Sequence, residues 1–542
     1  MLVIELNRQS MEYDVQALVK AFFPDEQVEV LVPESRADKR EKLSGDIKVR
    51  VVSGEGCAEI YLASELGGRM NLAEEGCGIR WQGEADAEKG SVAVNEADEA
   101  GTDSYFCWRE SGEKAGKEDF KAYLYGVLSQ FTGRQLPWGM LTGIRPTKIA
   151  LSLLEEGRSR QETAKHYIKR YFVSDEKAAL AVDIAERERR LLSGVHCEGP
   201  QGRGSGWSYV TGAGREAGQG FSRGYSLYIG IPFCPTTCLY CSFTSYPIAV
   251  YRKQVDEYLN CLLREAAYVA ERFRGEILDS VYIGGGTPTT LEPEQLDRLL
   301  GGLRQLFDFT TVQEFTVEAG RADSITEEKL KSLRRHGVSR ISVNPQTMKQ
   351  ETLDLIGRKA SVVQVEEAFR LARQIGFDNI NMDIILGLPG ETSRDVQHTM
   401  DRIAELSPDS LTVHSLAVKR ASGLSQWIQE HGTAALCNTD ETMAIAAEGA
   451  EKLEMHPYYL YRQKNMSGNF ENVGYAREGK YGLYNVLIME EVQTIVALGA
   501  GAITKRVYPD GRIERCENVK EVAQYIERIE EMIERKRVLF SD

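Results

Sequence analysis

Apolar residues recur along this chain with two periods, and the switches between them mark its elements. "MLVIEL" at the start reads as a strand, and Val15, Leu18, Val19 and Phe22 follow at helical spacing. "EQVEVLV", "DIKVRVV" and "AEIYLA" read as further strands. Phe120, Tyr123, Leu124, Val127, Leu128 and Phe131 fall three and four apart, the stripe of an amphipathic helix. Helices are expected around 160–172 and 175–192. Periodicity then stops. Gly and Ser dominate "SGVHCEGPQGRGSGWSYVTGAGREAGQGFSRG" (193–224), the composition of a linker or exposed loop.

Beyond it a regular alternation begins. "SLYIGIPF" is a strand, and Val255, Leu259, Leu262, Ala266 and Val269 form the stripe of the next helix. Then come "SVYIGGG", a helix opening at Pro293, "EFTVEAG", a helix from Thr326 closed by Gly337, and "RISVNPQ". "NINMDIILGLP", a helix carrying Val396, Met400, Ile403 and Leu406, and the strand "SLTVHSLAV" complete the series. Six strands rich in β-branched residues, separated by helices, predict an α/β fold with a parallel sheet. Right-handed crossovers would curl it into a partial barrel or wind it into an open sheet, and the pattern itself does not choose. The expected division is 1–192, an α/β and helical domain; 193–224, the linker; 225–420, the repeated β-α core; and 421–542, a helical, substrate-contacting region. No internal repeat is visible.

The polar oddities of the core sit where its strands end. Cys234 follows the first, Gly284–Thr287 the second, Glu318 the third and Gln346 the fourth, while Asp383 lies within the fifth. Parallel α/β folds build their sites at the carboxyl ends of strands, so these residues are expected to meet at one mouth.

Length and charge narrow the classes. At 542 residues the chain exceeds one core, and roughly 150 residues per domain suggests about three or four units. Its 42% hydrophobic and 27% charged residues are those of a globular protein, and no run of uncharged apolar residues is long enough to cross a membrane. The N-terminus lacks the features of a signal peptide, which predicts a cytoplasmic location. A net charge of −15 without a basic tract argues against nucleic-acid binding. Ten cysteines are too sparse for a disulfide scaffold. Cys57, Cys77, Cys107, Cys197, Cys261, Cys437 and Cys516 are scattered and read mostly as small buried hydrophobes.

The other three, Cys234, Cys238 and Cys241, are packed into "YIGIPFCPTTCLYCSF". Soft thiolates select zinc, copper(I) or iron–sulfur clusters. Structural zinc needs four ligands, so His414 or Cys261 would have to join from a distance. A [4Fe–4S] cluster held by three cysteines leaves one iron open to an amino-acid-like chelate. The spacing Cys-x3-Cys-x2-Cys, with Tyr240 before the last cysteine, resembles the radical S-adenosylmethionine (SAM) superfamily. Further segments match in order over about 225–420: "GGGTPTTLEPEQL", "FTVEAG", "GVSRISVNPQTM", "IGR" at 356–358, "NMDIILGLPGET" and "HSLAV". Together they resemble the oxygen-independent coproporphyrinogen III oxidases, or coproporphyrinogen dehydrogenases, and in the N-terminal domain and "PYYLYRQKNMSGN" the HemZ-type branch.

The resemblance implies a partial (β/α)6 barrel with a [4Fe–4S] cluster on Cys234, Cys238 and Cys241. It implies SAM contacts from Tyr228, Tyr240, Gly285, Gly286, Thr287, Glu318, Gln346, Arg358, Asp383 and Ala417. It further implies reductive cleavage of SAM to a 5′-deoxyadenosyl radical, which abstracts hydrogen from the β-carbon of a propionate. Loss of carbon dioxide and one electron leaves a vinyl group, and two such events turn coproporphyrinogen III into protoporphyrinogen IX. The implied partners are this tetrapyrrole and an electron donor such as a flavodoxin or ferredoxin.

Two positions depart from the coproporphyrinogen enzymes. Phe243 stands where they usually carry a fourth cysteine and resembles the haem-chaperone branch, and Gly230 replaces the His of Tyr-x-His-Ile-Pro-Phe-Cys. A haem chaperone, or a radical SAM enzyme of another carboxylated metabolite, therefore stand as alternatives. In the C-terminal region Arg462 and Lys464 are candidates to pair substrate carboxylates, and Tyr458, Tyr459 and Tyr461 to pack on a tetrapyrrole face. Trp138, Arg145 and Lys148 lie in a turn-rich stretch read as structural, and His414 reads as a satisfied interior histidine.

Overall fold

The computed structural model describes all residues except 1, 7–8, 24–25, 27, 36–46, 55–56, 64–93, 98–103, 112–116, 144, 197–223, 244, 420–421, 433–435, 463–469 and 542. Most of the expected linker, and Lys464, therefore lie outside the described residues. The chain forms two compact units, Met1–Ile144 with Ser159–Leu180, and Arg145–Arg158 with Ala181–Asp542.

The first unit carries a six-stranded sheet in the order β2-β1-β3-β4-β6-β5. Its strands are β1 (Leu2–Leu6), β2 (Val28–Leu31), β3 (Ile47–Gly54), β4 (Cys57–Ala63), β5 (Val94–Ala97) and β6 (Ser104–Ser111). β1 pairs in parallel with β2 and β3, and the remainder is antiparallel. Leu2, Ile4 and Leu6 share a core with Val15, Leu18, Val19 and Phe22 of helix Glu12–Phe22 and with Phe120, Leu124, Leu128 and Phe131 of helix Lys117–Thr132. These are the faces marked by the 3.6-residue period.

The second unit holds the repeated β-α series. Its first strand is β7 (Gly224–Ile231), and two-residue strands β8 (Phe233–Cys234) and β9 (Tyr246–Pro247) pair beside it. β10 (Ile277–Gly285), β11 (Glu314–Glu318), β12 (Arg340–Ser342), β13 (Ile380–Leu386) and β14 (Ser410–Ser415) follow. β7 and β10 to β14 stand side by side in chain order, all parallel. An order that never reverses, joined by right-handed crossovers, puts every helix on one face and curls the sheet into a partial barrel. This resolves the choice that periodicity left open.

Most crossover helices begin or end at capping residues legible in the sequence. Helix Pro293–Leu306 opens with proline in its first turn, and the Glu292 and Gln295 side chains close a reciprocal cap. The Lys329 amide caps helix Glu327–Arg335 through the Thr326 hydroxyl, and Gly337 follows at φ +73°. Helices Val255–Arg272 and Ser393–Leu406 bury the stripes predicted for them.

The C-terminal region differs from expectation. It does not stand apart as a helical extension; it lengthens the same sheet at both edges. β15 (His456–Tyr461) and β16 (Asn472–Ala476) add antiparallel beside β14. β17 (Thr494–Leu498) lies parallel beside β7 and is followed by β18 (Ile503–Val507) and β19 (Ile513–Glu517). Residues 145–158 likewise group with the second unit, where Arg145 donates to the Met489 carbonyl and pairs with Glu491 at 2.7 Å.

This unit also buries two acids. Glu188 is 0% and Glu490 2% exposed, and no carboxylate oxygen of either has a hydrogen-bond partner. Burial first, then the Glu490 charge, pushes the Glu188 carboxyl well up, against the opposing charge of Arg145; burial likewise raises Glu490. The folded pair therefore keeps a proton that the unfolded chain releases above about pH 4.3, and stability is lost as pH rises beyond that point. Glu188→Gln is expected to raise the melting temperature more at pH 8 than at pH 5. A gain independent of pH, read by calorimetry, would contradict the buried-proton account.

Candidate functional site

Alternation along the strands puts Leu227, Ile229, Val281, Ile283, Phe315 and Val317 under the helices. The opposite face is polar, and register aligns it. Ser226 meets Ser280 at 2.8 Å, and Tyr228 is level with Tyr282 and Thr316. The rings of Tyr228 and Tyr282 stack 6.2 Å apart, and Tyr484 stacks on Tyr282 at 4.5 Å.

At the carboxyl ends this face opens into a site floored by glycine. A Cβ on Gly284 would lie 2.8 Å from the Glu318 carboxyl carbon, and one on Gly286 would lie 2.6 Å from the Phe233 carbonyl oxygen. Gly285 sits at φ +108°, beside the Tyr228 hydroxyl. The amides of Gly286 and Thr287 donate to the carbonyls of Ile231 and Phe233 at 2.8 and 2.7 Å, which straps the end of β10 to the start of the cysteine loop. The Thr287 hydroxyl then stands 3.5 Å from Cys234 Sγ.

The far side of the cysteine loop is docked on residues 356–358. The Leu239 amide donates to the Ile356 carbonyl at 3.0 Å, and the Thr236 hydroxyl to that of Gly357 at 2.9 Å. Leu239 and Tyr240 pack against Leu353, Ile356, Leu416 and Leu424. Arg358, buried, donates to the Asn344 carbonyl and, at 3.3 Å, to the Tyr240 hydroxyl. Burial, together with the other two thiols, pushes the Cys234 thiol up, against the Thr287 hydroxyl and Arg321; burial also raises Cys241. Bound metal would deprotonate all three. Among the described residues no three His, Cys, Asp or Glu groups converge as on one ion. A cubane cluster makes no such demand, because each thiolate holds a different iron.

Two carboxylates share the mouth with opposite environments. Burial pushes Glu318 up to about 7, despite the hydroxyl of Tyr282 and the amide of Gly285 donating to it. Burial also opposes ionisation of Asp383, but His414 at 3.8 Å, Asn381 at 2.6 Å and Thr412 outweigh it and hold the group below its usual range. Gln346 adopts φ +69°, its amide donating to the Asp383 carbonyl at 2.9 Å. Its buried Oε1 has no partner. Buried polar atoms are normally bonded, so this one marks a place for a ligand donor.

The structure thus gathers Tyr228, Cys234, Cys238, Tyr240, Cys241, Gly285, Gly286, Thr287, Glu318, Gln346, Arg358 and Asp383 around one mouth, with Ala417 half-buried two residues past β14. His414 belongs here too: its Nδ1 is 3.3 Å from the Tyr461 hydroxyl. The C-terminal candidates fare differently. Tyr458 and Tyr459 are core residues packed with Leu483, Val486 and Leu487, and Arg462 is buried beside Glu471. Sequence reasoning missed Tyr282, which alternation with Gly284 makes visible, and Arg321, which no period marks.

Residues 228–403 match the Radical SAM superfamily. A radical SAM protein is what this sheet and site define. The chain belongs to the family of oxygen-independent coproporphyrinogen-III oxidase-like proteins, in the branch of HemZ from Bacillus subtilis (strain 168), to which it is 36% identical over 504 residues, 89% of this chain and 96% of that one. It is 34% identical to the heme chaperone HemW of the same organism over 307 residues, covering 56% of this chain and 76% of HemW. The solved coproporphyrinogen III oxidase HemN of Escherichia coli is 26% identical, with a TM-score of 0.47 over 58% of this chain and 70% of its own. The cofactors of the superfamily are a [4Fe–4S] cluster and SAM. The thiol loop, the glycine floor and the open acceptor on Gln346 suit them.

The strap is the testable part of this geometry. Gly286→Ala forces a methyl group into the Phe233 and Ile231 carbonyls. Overpacking of this kind costs about 1–3 kcal/mol, and thermal unfolding is expected to shift down accordingly. An unshifted transition would mean that β10 and the cysteine loop are not held by this contact.

Proposed function

We propose that this protein is an oxygen-independent coproporphyrinogen III dehydrogenase, which oxidatively decarboxylates two propionates of its substrate to give protoporphyrinogen IX. What carries the reading is the strapped three-thiol loop beside two half-buried carboxylates, in a chain similar over nearly its whole length to a coproporphyrinogen-III oxidase-like protein.

Cys234, Cys238 and Cys241 would hold the cluster and leave one iron for the amino and carboxylate groups of SAM. The bound pair supplies one-electron reductive cleavage of the sulfonium and, with it, a carbon radical able to take hydrogen from a propionate. The chain's own residues place and shield this chemistry. Gly285 and Gly286 admit backbone to the methionine portion, and Thr287 offers a hydroxyl there. Glu318 is placed to accept from the SAM amino group or a ribose hydroxyl, and Asp383, held ionised, suits the ribose diol. Arg358 and Tyr240 keep the loop's inner side fixed and dry. Electrons would come from a one-electron carrier such as a flavodoxin or ferredoxin.

One observation favours a second reading. Phe243, where coproporphyrinogen enzymes carry a fourth cysteine, is 75% exposed, and the chain is also similar to a heme chaperone. Anaerobic turnover separates the two. Protein with a reconstituted cluster, SAM and reductant is expected to release carbon dioxide from coproporphyrinogen III and form 5′-deoxyadenosine. SAM cleavage without decarboxylation rejects this substrate, and stoichiometric haem binding with no decarboxylation selects the chaperone. Cys238→Ala should hold no cluster; retained iron and sulfide would remove it from the ligand set.

The buried acid gives a pH test. Ionised Glu318 suits a cationic ligand, and the free protein ionises it only above about pH 7. SAM affinity of cluster-loaded protein should weaken by up to about tenfold per pH unit below that point. Glu318→Gln should flatten the profile in anaerobic calorimetry, and an identical slope in that variant assigns the titration elsewhere.

A further inference from the structure

Cys238 lies against a charged device that the reading above does not use. Arg321 follows β11 in the segment "EAGRADS" and is 3% exposed. Its Nη1 donates to the Thr236 hydroxyl at 3.0 Å and the Thr236 carbonyl at 3.2 Å, and stands 3.6 Å from Cys238 Sγ. The other edge of the guanidinium is held by Asp323, with Nε to Oδ1 at 3.0 Å and Nη2 to Oδ2 at 2.7 Å. The same Thr236 hydroxyl donates to the Gly357 carbonyl, so the fork also ties the loop to residues 356–358.

The geometry points to Arg321 as a positioning residue that sets the reduction potential of the cluster, with Asp323 as its counterweight. This rests on the reading that Cys238 is a cluster ligand. A buried, bidentate guanidinium is a costly feature, because its desolvation is offset only when every edge is paired. Arg321 meets that condition with one edge on a carboxylate and the other on the loop. Besides Asp323, its charge faces the thiols, with Cys238 Sγ in hydrogen-bond contact and Cys234 further off. Hydrogen bonds and positive charge at a ligating sulfur favour the more negative, reduced cluster and raise its potential. Asp323 is one bond further from the sulfur and works in the opposite direction. Arg358 also acts on Cys238 electrostatically, but its hydrogen bonds go to the Asn344 and Gly320 carbonyls and the Tyr240 hydroxyl, and among the described residues no carboxylate accepts from it. Of the two cations at this sulfur, Arg321 is thus the one whose charge is trimmed by a partner.

The test is a redox titration of the cluster, followed by the electron-paramagnetic signal of its reduced form, in full-length protein without SAM. Arg321→Met is expected to lower the reduced-to-oxidised ratio at fixed potential about tenfold, or ~59 mV for one electron. Asp323→Asn, which leaves the guanidinium in place, is expected to shift the midpoint the other way. Arg321→Lys, which keeps the charge and loses the fork, should stay near wild type. A residue needed only for packing would not give shifts of opposite sign from the two halves of one ion pair. Unchanged midpoints, or shifts in the same direction, overturn the proposal. Should Arg321→Met fail to retain its cluster, Asp323→Asn decides alone, because Asp323 does not touch the cysteine loop; an unchanged or lowered midpoint there overturns it. Wild-type protein that binds no cluster refutes the ligand assignment first and this proposal with it, a failure recognisable before any variant is made.

Discussion

Two backbone hydrogen bonds hold the site together: the amides of Gly286 and Thr287 on the carbonyls of Ile231 and Phe233. They exist because residue 286 has no side chain; a Cβ there would stand 2.6 Å from the oxygen it must approach. The cysteine loop has almost no regular structure of its own. Its regular anchor is the two-residue pairing of β8 with β9, and the strap fixes β8 against the end of β10. Thr287 gains its reach to Cys234 from the same contact. The loop's other flank depends on a separate dock at residues 356–358, so the three thiols are held from both sides by elements of a rigid sheet rather than by each other. A metal site on a loop needs such outside support, since ligands placed loosely must be ordered at the moment of binding.

Within that frame, solvent exclusion does more than charge pairing to set the character of each group. Glu318 ends β11 and Asp383 lies within β13, one strand apart across β12, and both lose water. Glu318 is offered one hydroxyl and one amide, too little to offset burial, and so its carboxyl rises. Asp383 is offered a histidine, an amide and a hydroxyl, and so it stays ionised. Two carboxylates at one end of the sheet shift in opposite directions because their donors differ, a common way for a fold to prepare distinct roles. The guanidiniums nearby follow the same logic, since each is buried only because carbonyls, hydroxyls or a carboxylate meet its donors.

The β-α core was legible because its signals are local. Each strand is a short apolar run, each helix has a stripe and most have a cap, and the strand-end residues stand out against apolar neighbours. What escaped was set by pairing at long range. "TIVAL" (494–498) reads as a strand in isolation, yet nothing in it says that it will lie beside β7, more than 250 residues earlier. The tyrosines 458 and 459 have the look of a binding face, and tertiary packing made them core instead, with the Tyr459 ring seated over Gly474. Arg321 was invisible for a related reason. One arginine in a polar loop is unremarkable until the fold brings Thr236 and Cys238, some 85 positions away, to its donors.

The division of labour within the sheet bears on how such a protein changes its substrate. Every thiol, the glycine floor and Glu318 come from β7, β10, β11 and the loops after them. The residues beyond Asp383 that face the mouth from the other side, His414 and Tyr461, come from β14 and β15, and the latter pair with each other across the antiparallel extension. That extension shares no strand-to-strand ladder with β7 or β10. Side chains there can vary without disturbing the strap, the Arg321 fork or the dock of the cysteine loop. The strap and the thiol loop are thus built at one end of this sheet and the His414–Tyr461 contact at the other, and the second can change its side chains without repacking the first.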